Sequence, residues 1–77
     1  MEIFDDNGGW TNRATWNVSL WFRNDEYVSA MVDSLKMTDA SQYENFCRYI
    51  WKEATPDGDS LDDVNWEEIA SWWGQLE

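Results

Sequence analysis

Four stretches of apolar residues run along this chain at helical spacing, divided by polar or proline- and glycine-bearing breaks. In the second stretch Tyr27, Val28, Met31, Val32 and Leu35 recur at i, i+1, i+4, i+5 and i+8, the stripe of an amphipathic helix. Asn24 or Asp25 supplies its N-cap, and Lys36 in the last turn suits the negative end of the helix dipole. The third helix opens at Asp39, where Asp39-x-x-Gln42 has the spacing of a capping box. Its apolar face is Tyr43, Phe46, Cys47, Ile50 and Trp51, and Thr55-Pro56-Asp57-Gly58-Asp59 breaks the chain after it. The fourth has Asn65 as N-cap and Glu68 as the box partner, with Val64 placed to staple against Ile69. Ile69, Trp72 and Trp73 form its apolar face, and Gly74 ends it.

The first stretch, Trp10–Asn24, fits two periods. As a helix capped by Asn12 it places Trp16, Leu20 and Arg23 on one face and Ala14, Val18 and Trp21 on the next. As a strand, Trp16, Val18, Leu20 and Phe22 alternate with Asn17, Ser19 and Trp21. The helical reading makes the fold mainly α, a compact bundle of about four short helices around an aromatic core. The alternative is an α+β fold with a small N-terminal sheet. Residues 1–9, with the turn cluster Asp5-Asp6-Asn7-Gly8-Gly9, read as an irregular start to a single domain spanning 1–77.

Composition bears on stability. A chain of 77 residues buries only about 60% of the surface its unfolded form exposes. Seven Trp, three Tyr and three Phe offset this, because one aromatic side chain buries roughly 150–250 Å². Cys47 has no second cysteine and no histidine beside it, so a disulfide and a zinc finger are both excluded. It reads as a small buried hydrophobe. A lone thiol, with no apolar run near ~20 residues and no leader-like start, points to the cytoplasm and away from a membrane.

Charge changes the picture more. The chain carries sixteen acids against five bases, a net −11. Residues 1–37 hold six acids and three bases, residues 38–77 ten acids and two, and from Glu53 onward there are eight acids and no base. Such a field repels nucleic acid and anionic membranes and attracts basic surfaces. No direct contact with nucleic acid is expected. Catalysis has little to work with: the chain has no histidine, no glycine-rich phosphate loop, and no Ser or Cys with an evident base. Neither an enzyme nor a cofactor is expected. Asp57-Gly58-Asp59-x-Leu61-Asp62-Asp63 departs from the calcium-loop spacing, since its glycine directly follows the first aspartate, and no metal site is assigned.

The run Trp10-Thr11-Asn12-Arg13-Ala14-Thr15-Trp16-Asn17-Val18-Ser19-Leu20-Trp21 resembles a family of small bacteriophage and bacterial proteins. Their motif is W-T-N-x-x-T-W-N-V-x-L-W followed by an Asn-Asp or Asn-Glu pair, matched here by Asn24-Asp25. The closing Val64–Ala70 run is similar to a recurrent helix start in such proteins. The resemblance covers about a third of the chain, favours the helical reading of residues 10–24, and implies a phage or mobile-element context without a mechanism. Members often carry an acid after the first Asn; Arg13-Ala14 stand there in this chain.

Glu53, Asp57, Asp59, Asp62, Asp63, Glu67 and Glu68 are the candidate partner-binding acids, with Trp10 and Trp21 as candidate aromatic anchors. Carboxylates at helical i, i+3 and i+4 positions advance about 4.5–6 Å, the same order as the roughly 3.4 Å between phosphates along a DNA strand. The expected partner is therefore a protein with a basic nucleic-acid-binding surface. This makes the chain an inhibitor of a host defence complex of the CRISPR or restriction type. A bland reading competes: the acids are a solvated face, and Asn12, Thr15 and the tryptophans complete a helix start and a core. The alternatives are an adaptor that engages a host regulatory protein through a Trp patch, and a self-associating accessory protein. Oligomeric state is left open.

Overall fold

The computed structural model describes residues 9–74. The sequence-based expectation of an irregular start therefore falls almost wholly outside the described residues. Four α-helices and one 3₁₀ turn follow in order: α1 Arg13–Asn24, α2 Glu26–Leu35, α3 Ala40–Trp51, the turn Leu61–Asp63, and α4 Trp66–Trp73. Residues 10–24 form no strand, and the only sheet-like pairing among the described residues is an isolated bridge between Ala54 and Ser60. The α+β alternative falls because Asn12 takes the cap position in extended conformation and its side chain accepts from Thr15 N–H.

Local signals set the helix ends. The Asp25 carboxylate accepts from Tyr27 and Val28 N–H and starts α2 one residue after α1 stops. Asp39 and Gln42 form a full capping box at α3. At α4 the box is half made. Asn65 accepts from Glu68 N–H, but the Glu68 carboxylate reaches Thr11 N–H, and Asn65 N–H donates to Thr15 Oγ1. The reciprocal arm expected of Glu68 is replaced by two bonds to the start of α1.

The core gathers Ala14, Val18 and Phe22 of α1, Val28 and Val32 of α2, Tyr43, Phe46 and Cys47 of α3, Leu61, Val64 and Ile69, with Met37 between helices. Phe22 is its centre: Tyr43, Phe46 and Trp73 surround the ring at centroid distances of 6.0, 6.2 and 5.6 Å. Ile50, Trp51, Trp66 and Trp10 pack on the periphery. Burial pushes the Cys47 thiol above its ordinary range, as suits a packing residue.

Two expected apolar faces are only partly inward. α2 packs on α1 and on no other helix, so Val28 and Val32 turn inward while Tyr27, Met31 and Leu35 stay 82%, 37% and 54% exposed. In α4, Ile69 and Trp73 point inward, and Trp72 lies on the flank, 62% exposed. Gly74 ends α4 by close approach: a Cβ there would lie 2.6 Å from the Ala70 carbonyl oxygen and 2.8 Å from that of Thr38.

Candidate functional site

The acidic run from Glu53 to Glu68 leaves α3, turns twice and enters α4, and its backbone is fixed at each step. Leu61 N–H donates to the Glu53 carbonyl, Thr55 N–H to that of Asp59, and Gly58 N–H to that of Thr55. Gly58 sits at φ +95°, a conformation that glycine adopts without the penalty a side chain brings.

The first half of α1 then anchors this segment. Asn12 Nδ2 donates to the Asp63 carbonyl at 2.8 Å while its Oδ1 accepts from both the Thr15 backbone and hydroxyl. Thr15 Oγ1 in turn accepts from Asn65 N–H at 2.8 Å. Asn17 Nδ2 and Trp21 Nε1 both donate to Asp57 Oδ2, at 2.9 and 3.1 Å. Ser19 Oγ accepts from Trp73 Nε1 at 3.2 Å. Thr15, Asn17 and Ser19 are all buried, so the inner face of α1 is substantially polar. Buried polar groups are costly unless bonded, and these bonds meet most of the demand. Asn17 Oδ1 is the exception, without a hydrogen-bond partner among the described residues.

The candidate acids meet different fates in this frame. Asp57 is a structural acceptor, and its hydrogen bonds from Asn17 and Trp21 hold its carboxyl below the usual range. Asp59 is half-buried and meets Arg13 Nε at 3.3 Å. Asp62 is exposed and pairs at 2.9 Å with Arg48, whose Nε also meets Glu44. Glu68 is held by Thr11. The side chains of Glu53, Asp63 and Glu67 are exposed and find no hydrogen bond or ion pair among the described residues. No group of three metal-ligating side chains converges among the described residues; the calcium-like spacing is drawn apart by Arg13, Asn17 and Arg48.

Trp10 and Trp21, the expected anchors, are both half-buried. Trp21 is edge-on to Trp51, with ring centroids 6.3 Å apart, and is tied to Asp57. Trp10 stacks on Trp72 at 6.1 Å. Trp72 is the tryptophan most open to solvent and was not singled out as an anchor from the sequence, where its spacing reads as core. A cavity of about 490 Å³ opens beside α2, its walls including Phe22, Tyr43, Trp73, Arg23 and Lys36. Among the described residues no helix is long and apolar enough to cross a membrane.

The architecture is a small helical bundle clasped between its first helix and its last third. A family of unknown function, DUF7249, matches residues 5–73, and the chain belongs to that family. No curated protein and no solved structure matches it.

Proposed function

We propose that this chain is a small acidic inhibitor whose 53–68 segment imitates the charge of nucleic acid. By this reading it occupies a basic nucleic-acid-binding surface of a bacterial defence complex of the CRISPR or restriction type, in the host cytoplasm. The observation that carries the proposal is a segment free of bases, fixed in place by α1, that turns Glu53, Asp62, Asp63 and Glu67 to solvent. Fixed charges lose little freedom on binding, and opposite charge accelerates encounter and orients it. The resemblance of residues 10–21 to phage proteins supports the setting. It does not supply the mechanism, because those residues are the ones that hold the segment down.

The test uses three exposed acids whose side chains make no hydrogen bond or ion pair among the described residues. Chain immobilised at low salt is expected to retain nucleic-acid-binding complexes from a bacterial lysate, release them as salt rises, and displace DNA from them in solution. Glu53→Gln, Asp63→Asn and Glu67→Gln together should weaken that displacement by at least about tenfold, since exposed charge pairs contribute up to about 1 kcal/mol each. The triple variant should melt no lower than the parent. A second reading is favoured by Trp72, 62% exposed and stacked on Trp10: an aromatic patch that engages a regulatory protein. Retention indifferent to salt and to the triple substitution, but lost in Trp72→Ala, would replace the first reading with the second.

A further inference from the structure

The stretch between α3 and the 3₁₀ turn holds the one Asp-Gly pair of the chain, Asp57-Gly58. Such a pair has a reaction of its own. Because the second residue carries no side chain, its backbone nitrogen is free to approach the aspartyl Cγ closely. Attack of that nitrogen on the carboxyl forms a five-membered succinimide, and the amide proton leaves with a carboxyl oxygen as water. Water then opens the ring at either carbonyl. Opening at the backbone carbonyl leaves isoaspartate, in which the main chain runs through the former side chain and is one atom longer. One water leaves and one returns, so the sum is a rearrangement with no oxidant, reductant or co-reactant.

Exposure alone would leave this pair open to reaction. Asp57 and Gly58 both face solvent, and a Cβ added to Gly58 would meet nothing within 4 Å. Both reacting groups are nevertheless engaged. The nucleophile, Gly58 N–H, donates to the Thr55 carbonyl at 2.8 Å across a turn whose second residue is Pro56. Thr55 is itself buried and fixed: its N–H donates to the Asp59 carbonyl at 2.9 Å, and its Oγ1 accepts from Asp59 N–H at 3.2 Å. The electrophile is held from the α1 side, where Asn17 Nδ2 and Trp21 Nε1 both donate to Asp57 Oδ2. These donors favour the charged carboxyl, which is the poorer electrophile.

We infer that Asp57-Gly58 is a site of spontaneous isoaspartate formation which the hydrogen bonds from Asn17 and Trp21 keep closed in the folded chain. Ring closure requires Cγ to turn onto the Gly58 nitrogen and that N–H to leave Thr55. The reaction therefore waits on release of Asp57 from α1 and opening of the turn. Its product cannot be held again in the same way. The added main-chain atom alters the spacing from Thr55 to Asp59, and the carboxylate now stands on a different carbon, so Asn17 and Trp21 lose their shared acceptor. A reversible opening of the joint becomes a permanent one. The inference does not depend on the role proposed for the 53–68 segment.

Ageing of the full chain at neutral pH tests this, in native buffer and in urea at one temperature. Isoaspartate is read by isoaspartyl methyltransferase labelling and located by fragmentation of the tryptic peptide that begins at Glu53. The Asn7-Gly8 pair, which also yields isoaspartate, falls in a different tryptic peptide and gains mass as it loses ammonia. Isoaspartate at residue 57 should build up at least about tenfold more slowly in native buffer than in urea, the ratio that one hydrogen bond to a charged group supplies. Trp21→Phe keeps a ring against Trp51 and removes one donor. It should react several-fold faster than the parent in native buffer and no faster in urea. Gly74→Ala, which crowds Ala70 and Thr38 and leaves both donors in place, controls for overall destabilisation and should match the parent. Equal rates for the parent in buffer and urea overturn the inference without recourse to any variant, as does an unfolded chain that forms none at residue 57. A folded Trp21→Phe as slow as the parent, or Gly74→Ala as fast as Trp21→Phe, also overturns it, because protection would then belong to the whole fold and not to the joint.

Discussion

A single carboxylate oxygen, Asp57 Oδ2, receives the Asn17 amide and the Trp21 indole, and so joins the middle of α1 to the turn after α3. These donors stabilise the charged form, so the folded-state pKa lies below the ordinary 3.8. The sign follows directly. Stability from a lowered carboxyl pKa is fully present above the unfolded value and is lost as pH falls through the folded one. Asp57→Asn keeps an acceptor oxygen but removes the charge and its titration. The stability gap between parent and Asp57→Asn, measured by urea denaturation, should therefore be wider at pH 7 than at pH 3. An equal gap at both pH values would mean that the carboxylate charge is irrelevant to the joint. The aspartate that looks in sequence like part of a docking surface is thus, at the level of single residues, a keystone of the fold.

The helices themselves were readable because their start signals are local. Asn12, Asp39 with Gln42, and Asn65 act within three or four residues of their own backbone, which a linear pattern exposes. Features that depend on distant partners were not readable. Ser, Thr and Asn on α1 count as polar and look outward, yet Thr15, Asn17 and Ser19 are buried because Asn65, Asp57 and Trp73 meet them 40 to 54 residues away. Phe22, central to the core, was missed because the helical reading closed its inner stripe with Trp21 at i+3 of Val18, whereas the buried stripe runs Ala14, Val18, Phe22. The opposite error befell α2 and Trp72: apolar spacing marks a face that is able to be buried, while the number of neighbours decides how much of it is. Of the candidate acids, sequence marked the segment but could not separate Glu53, Asp63 and Glu67 from those committed to the fold. Gly74 is likewise explained only by tertiary packing. Its φ of −86° suits any residue, but an added Cβ would press on two backbone carbonyls. Gly74→Ala should cost about 1–3 kcal/mol, seen as a lower midpoint in thermal melts. An unchanged midpoint would show that the end of α4 yields freely.

For the molecule as a whole, the decisive comparison is between its size and the range of its charges. Its principal extents are 36 × 29 × 22 Å. At about 0.01 M salt the screening length is roughly 30 Å, so nearly every pair of the surplus carboxylates repels; at about 0.15 M it is roughly 8 Å and only neighbours do. Raising salt across that interval should increase the melting temperature by on the order of 5 °C, equivalent to about 1 kcal/mol for a domain this small. A midpoint that holds or falls would mean that the ion pairs of Arg13 and Arg48, weakened by the same screening, outweigh the repulsion. If partner binding is electrostatic, salt acts oppositely on it, so conditions that best preserve the fold are the worst for finding the partner.

The clasp between α1 and the last third of the chain also governs how the protein is made. Synthesis delivers α1 first, with Thr15, Asn17 and Ser19 already destined for the interior, and the groups that satisfy them arrive only with Asp57, Asn65 and Trp73. A partial fold that buried α1 before those residues were translated would strand its polar side chains. Truncation anywhere short of Trp73 therefore deprives the first helix of the bond that Ser19 receives.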